Sequence, residues 1–158
     1  MRDYLKFYID GQWVDPATPK TADVINPATE AVSGHISLGS VEDVNKAVAA
    51  ARRAFASWSV TSVKERIDLM EAILAEYVRR ERELGEAVTE EMGAPLSLGC
   101  GFHTLLGKGH IGTALEVLKN FKFEEEHGVT MIRKEPIGVC GLLTPWNWPM
   151  NQTCVKSA

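Results

Sequence analysis

Short stretches with a period of two alternate with long stretches with a period near 3.6, and this change of rhythm organises the chain. At the start, "KFYI" and "QWV" flank Asp10-Gly11, a pair that supplies the positive φ values of a tight primed turn. Residues 6–14 therefore read as a small hairpin. After the loop "DPATPK", the segment "ADVINPATE" reads as a short strand that stops at Asn26-Pro27. Proline donates no ladder hydrogen bond and holds the residue before it extended.

Helices follow. Ser40 with Asp43, and Ser62 with Glu65, stand three apart, the spacing of a reciprocal capping box at a helix start. Val44, Val48, Ala51 and Phe55 then recur on one face of the first helix. In the second, Ile67, Met70, Ile73, Leu74, Tyr77 and Val78 form a wide apolar stripe, with Arg79, Arg80 and Glu81 on the wet side. Gly85 breaks the pattern before Val88 and Met92 resume it, and Gly93 with Pro95 supplies a stop. "TLLGKGHIGTALEVLKNF" forms a further helix.

From Phe121 the period returns to two. "FKFEEEHGVTMIRKEP" places Phe121 and Phe123 opposite Val129, Met131 or Ile132 across a turn near His127-Gly128. This predicts a hairpin with one apolar and one charged face. "GVCGLL" is a nearly unbroken apolar run between Pro136 and Pro145, the signature of a strand buried on both faces of a parallel sheet. The expected class is α/β.

Composition narrows the function. The 158 residues are 45% apolar and 24% charged, as in a soluble globular protein. Lysine and arginine number 17 against 21 acids, a net charge of −4, so a basic nucleic-acid surface is not expected. No apolar run approaches a membrane span, and the first residues lack a signal-peptide core. Cys100, Cys140 and Cys154 are an odd set without framework spacing, which favours a reducing compartment and predicts a cytoplasmic location.

Several groups invite chemistry. Gly99, Gly101 and Gly107 suggest a phosphate loop, but Thr104 stands where the third glycine of the fingerprint belongs and no strand leads in. Helix-end flexibility is the expected role. Cys100, His103 and His110 match no usual zinc spacing, so no metal site is predicted. Cys140 is expected inside the apolar strand, inert by burial, and Cys154 on the helix after Pro149 without a base nearby. Asn147 has two readings. It suits a turn or helix cap, and it also stands where a strand end meets the crevice in which open α/β sheets bind ligands. There, a rigid carboxamide could donate to a developing oxyanion.

"EPIGVCGLLTPWNWPMNQ", residues 135–152, resembles the "EPxGVxGxxxPWNxP" signature of NAD(P)-dependent aldehyde dehydrogenases. "YIDGQWV", "VINPATE", "SVEDVNKAVAAARRAFASW" and "EEMGAP" agree in order, so the resemblance covers essentially the whole chain as the amino-terminal portion of such an enzyme. It implies a Rossmann-type fold with an oligomerisation hairpin, NAD or NADP as cofactor, and an aldehyde as substrate. Oxidation to a carboxylic acid would pass through a cysteine thiohemiacetal and thioester, with Asn147 donating to the oxyanion. The resemblance further implies that Leu143, Thr144, Pro145 and Trp146, with Asn147, line the dinucleotide cleft. Trp148 and Asn151 would border the aldehyde tunnel, and the polar Asn151 points to a substrate with a polar end. A structural monovalent cation would use the Val24 and Ile25 backbone and the Glu91 carboxylate.

The implied organisation is residues 1–118 as hairpin and helices of the cofactor-binding domain, 119–136 as an oligomerisation ribbon of a homodimer or homotetramer, and 137–158 as the first central strand and the following helix. The family's nucleophilic cysteine and general-base glutamate, its pyrophosphate turn and its ribose lysine are expected beyond Ala158. Alone, these residues are therefore expected to be inactive. The competing expectation is a non-catalytic segment serving only binding or assembly.

Overall fold

The structure, a computed structural model, describes residues 2–158. Five short strands come first: β1 (Arg2–Tyr4), β2 (Phe7–Ile9), β3 (Gln12–Val14), β4 (Thr21–Ile25) and β5 (Val32–Ser37). Helices α1 (Val41–Trp58), α2 (Val63–Arg79) and α3 (Glu81–Met92) follow. A π-helical segment, Leu98–His103, then runs directly into α4 (Thr104–Asn120). Strands β6 (Glu124–His127) and β7 (Thr130–Arg133) precede the final helix α5 (Pro149–Ser157).

The first hairpin forms as expected, with Ile9 opposite Gln12 and positive φ at Asp10 (54°) and Gly11 (76°). Strand β4 pairs antiparallel with β5, and β1 lies parallel along the other edge of β5. The sequence pattern announced neither β1 nor β5. Gly34 permits their pairing, since a Cβ there would sit 1.9 Å from the Arg2 carbonyl oxygen.

Both capping boxes are made. The Ser40 and Ser62 hydroxyls accept from the backbone of Asp43 and Glu65, whose carboxylates accept in return from the cap residues. The Asp43 carboxylate also accepts from the Ala17 N–H at 2.9 Å, which fastens the preceding loop to α1. The apolar stripe of α1 is only partly covered. Ala51 and Phe55 are half-buried, but β2 leaves Val44 and Val48 more than a third exposed.

The break after α2 falls at Arg80, not at Gly85. Gly85 is buried within α3, where a Cβ would meet the Cys100 Cα at 2.5 Å. Gly99 answers it across the contact, its Cβ position lying 2.5 Å from the Gly85 carbonyl oxygen. These glycines let α3 and the π-helical segment touch backbone to backbone, a packing role in place of the flexibility expected of Gly99. Gly93 ends α3 in the left-handed region as its position predicts.

The core lies where α2, α4 and α5 meet. Tyr77, Ile111 and Cys154 are buried there, with Leu74, Leu84 and Met150 packed around them. The Tyr77 hydroxyl donates to the Thr104 carbonyl at 2.9 Å. Burial pushes the Tyr77 phenol far above its usual pKa, so it stays a neutral donor.

Two expectations fail in the last third. In the second hairpin, the two-residue turn is Gly128-Val129, so Met131 faces Glu126 and Ile132 faces Glu125. Consecutive strand residues point to opposite faces, so these two side chains cannot share an apolar face. Phe121 and Phe123 instead pack on each other, ring centroids 4.8 Å apart, beyond the ladder. "GVCGLL" is not a strand. It is an irregular, largely exposed run, and Cys140 is exposed with it. A strand buried on both faces needs neighbours on its edges and layers above and below. Among the described residues no strand lies beside this one.

Candidate active site

The site forms where the irregular run meets α5. Pro149 opens that helix at a first-turn position, where its fixed φ suits the helix and its missing N–H costs nothing. Trp148 is the cap residue, and no side chain bonds the free N–H groups. Asn147 lies in the turn just before, exposed to solvent. Of the two bland readings of Asn147, the helix cap is therefore removed and the turn position stands. Leu143, Thr144, Pro145 and Trp146 lead into it in an irregular, exposed conformation. Leu143 is 90% exposed and Trp146 79%. The Leu143 carbonyl accepts from the Lys156 ammonium of α5, which holds the run against the helix.

Beside Asn147 the chain builds an aromatic wall. The Trp148 ring stacks on His103, centroids 4.9 Å apart and planes 24° from parallel, and Phe102 meets it edge-on at 5.7 Å. His103 is only 3% exposed, and its Nδ1 has no partner in the structure. Burial lowers its pKa and keeps the ring neutral. One turn into α5, the Asn151 carboxamide oxygen lies 2.5 Å from His110 Nε2 of α4. Neither histidine partnership was anticipated from the sequence. The available signal was the seven-residue spacing of His103 and His110, which puts both on one helical face.

The cysteines divide. Cys154 is buried in the core and burial raises its thiol pKa, as its place on α5 without a base suggests. Cys140 is exposed, against the expectation of an inert buried thiol. Cys100 faces α3, where its thiol reaches the Arg82 carbonyl at 3.8 Å, while His103 and His110 face α5. These three groups do not converge.

The implied cation position can be tested against the geometry. A small cavity of about 20 Å³ is lined by Val24, Ser33, Glu90 and Glu91 among others, but not by Ile25. Arg2 pairs with Glu90 at 3.1 Å. Desolvation raises the Glu91 carboxyl above its usual pKa, Arg2 opposes this and Glu90 reinforces it. The implied donor set is thus only partly assembled: Val24 and Glu91 share the cavity, and burial favours the neutral Glu91 carboxyl over a charged ligand.

Comparison with known proteins identifies the family and the fold. The sequence profile described as the aldehyde dehydrogenase family matches residues 13–158, and the chain belongs to that family. Among curated proteins, it is 52% identical to 3-succinoylsemialdehyde-pyridine dehydrogenase of a Pseudomonas species, over 100% of this chain and 33% of that protein. Among solved structures, it superimposes on an aldehyde dehydrogenase from Bartonella henselae with a TM-score of 0.94 at 41% identity, covering 98% of this chain and 33% of that one. It is similarly close to a variant of aldehyde dehydrogenase C from Pseudomonas syringae complexed with NAD+ and octanal. There the TM-score is 0.92 at 45% identity, over 94% of this chain and 31% of the other. The chain thus spans about a third of the length of these relatives. Its fold is the amino-terminal part of their Rossmann-like α/β architecture.

Proposed function

We propose that this chain supplies the oxyanion donor and one wall of the dinucleotide cleft in an enzyme that oxidises an aldehyde to a carboxylic acid. The observation that carries this reading is the exposed Leu143–Asn147 run, with Asn147 free of any capping duty at the head of α5. Leu143, Thr144, Pro145 and Trp146 offer a dinucleotide an exposed backbone outside any strand ladder and the apolar side chains of Leu143, Pro145 and Trp146. The NAD+ bound in the Pseudomonas syringae structure supports a nicotinamide dinucleotide, NAD or NADP, as the cofactor. Once bound, that cofactor accepts the hydride.

When a thiolate elsewhere in the enzyme attacks the aldehyde carbon, negative charge develops on the former carbonyl oxygen. The Asn147 amide donates to that oxygen and stabilises it more than it stabilises the uncharged carbonyl, which is what lowers the barrier. Trp148 and Asn151 border the aldehyde passage, with the Trp148 ring held in place by His103 and Phe102. The β6–β7 ribbon joins neighbouring subunits of a homodimer or homotetramer, a role supported by the exposure of Phe121, Met131 and Ile132 and by the instability of a lone two-stranded ribbon in water.

The test is Asn147→Ala in the complete enzyme. Loss of one oxyanion donor lowers kcat by about a hundred- to a thousandfold. The dissociation constant for NAD should change far less. Near-normal turnover would return Asn147 to a turn residue.

A further inference from the structure

We infer that His110 is a positioning residue that fixes the Asn151 amide as a hydrogen-bond donor, so that the site selects aldehydes whose far end carries an acceptor: a carbonyl, a carboxylate or a ring nitrogen. The inference deepens the functional reading above and rests on it, because it takes Asn151 to border the aldehyde passage.

The geometry is specific. His110 stands on α4 and Asn151 in the first turn of α5, and His110 Nε2 meets the Asn151 carboxamide oxygen at 2.5 Å, with both residues half-buried. An amide oxygen only accepts, so Nε2 carries the proton and donates. In that tautomer the bond occupies the oxygen, and a flipped amide would set its NH₂ against the Nε2 proton. The Asn151 NH₂ group is left pointing away from His110 with two N–H donors to offer.

The neighbouring surface is aromatic and apolar, with Phe102 edge-on to Trp148. Trp148 and Phe102 are 36% and 48% exposed, and the buried, neutral His103 behind Trp148 brings no charge to it. A substrate lying on this wall meets a donor at its end. An acceptor-tipped aldehyde pairs with the amide, while an alkyl aldehyde of equal length covers the N–H groups without satisfying them. Sites built to hydrogen-bond a substrate discriminate in this manner, whereas purely apolar pockets separate only sizes.

The experiment uses the complete enzyme and two aldehydes of equal chain length, one ending in a carboxylate and one in a methyl group. His110→Phe should raise KM for the carboxylate-tipped aldehyde about tenfold, the weight of one such hydrogen bond. It should leave kcat for both substrates and KM for the alkyl aldehyde within about twofold. His110→Gln, which restores a donor, should recover most of the loss. The corresponding alcohols, which do not react in the oxidation direction once NAD is omitted, report binding without turnover through tryptophan fluorescence and should shift in parallel.

Equal weakening of both substrates in His110→Phe would overturn the inference and leave His110 a packing residue. Asn151→Leu separates the two levels of argument. If it abolishes the preference while His110→Phe preserves it, His110 has no positioning role and the passage reading stands. If Asn151→Leu changes neither KM nor alcohol binding, Asn151 does not border the passage and the underlying reading fails as well.

Discussion

Replacing Gly107 by alanine sets two effects of opposite sign against each other. Alanine in a helix interior is favoured over glycine by roughly 0.5–1 kcal/mol, because glycine loses more backbone freedom on folding. At Gly107, however, a Cβ would lie 2.3 Å from the Tyr77 hydroxyl oxygen, 2.9 Å from its Cζ and 3.1 Å from the Cys154 sulfur. Ordinary contact needs about 3.5 Å, so the tyrosine must retreat by roughly 1 Å. That movement stretches its 2.9 Å bond to the Thr104 carbonyl past useful length. A buried hydrogen bond lost costs about 1–3 kcal/mol, and the overpacking itself a similar amount. The sum predicts net destabilisation of roughly 1–5 kcal/mol. Gly109 and Gly112 on the same helix have nothing within 4 Å of a Cβ, so alanine at either should stabilise by roughly 0.5–1 kcal/mol. Urea unfolding of the three single variants, compared at constant m, reads both signs in one helix. A stabilised Gly107→Ala would refute the close contact. Adding Tyr77→Phe removes the nearest atom, and the double variant should therefore lose less than the two single losses combined.

Two further outcomes follow from the charges and the ribbon. Hydrogen bonds from the Ser40 and Ala17 backbone and the Ser40 hydroxyl hold the Asp43 pKa below its ordinary 3.8, so its stabilising contribution is full above pH 3.8 and is lost as pH falls through the lower folded value. Asp43→Asn should lower stability at neutral pH and flatten the acid limb of a pH–stability profile, and an unchanged limb would count against the assignment. In the complete enzyme, Met131→Asp with Ile132→Asp should shift light-scattering mass toward a smaller species. An unchanged mass would exclude the ribbon from assembly.

The features legible in the sequence are those decided within a few residues. Ser40-Asp43 and Ser62-Glu65 satisfy their own helix starts, and Asp10-Gly11 closes its own turn, so each could be read where it stands. Strand β1 was invisible because its partner, β5, lies some thirty residues away and Gly34 admits it by lacking a side chain. "GVCGLL" carries the composition of a buried strand, but composition becomes structure only beside neighbouring strands. The second hairpin misled because Met131 and Ile132 are consecutive and point to opposite faces, and because the ladder stops at Glu124, short of Phe123. Asn147 and Trp148 were found through a signature. The contacts of His103 and His110 to α5 were not, because 45 and 41 residues separate the partners and nothing local encodes the meeting.

The buried positions Gly99, His103, Gly107, Ile111 and Leu115 recur every fourth residue through the π-helical segment and α4. Four residues turn an α-helix by about 400°, so a spacing of four advances the buried line by roughly 40° each step. The π-helical segment, with more residues per turn, absorbs part of that advance at the start. What remains winds the line around the rod like a screw thread, from α3 at Gly99 to Tyr77 of α2 and Cys154 of α5 at Gly107. A thread has phase as well as surface. Gly109, inside α4, has nothing near its Cβ position and would accept a side chain, yet deleting it would rotate everything beyond by about 100° relative to α3. The Asn151 bond at His110 would then fall out of step with the Trp148 stack at His103 and with the Gly85 contact. At this open position residue type is free while residue count is fixed, and that count is what aligns Asn151 with a glycine on the far side of the helix.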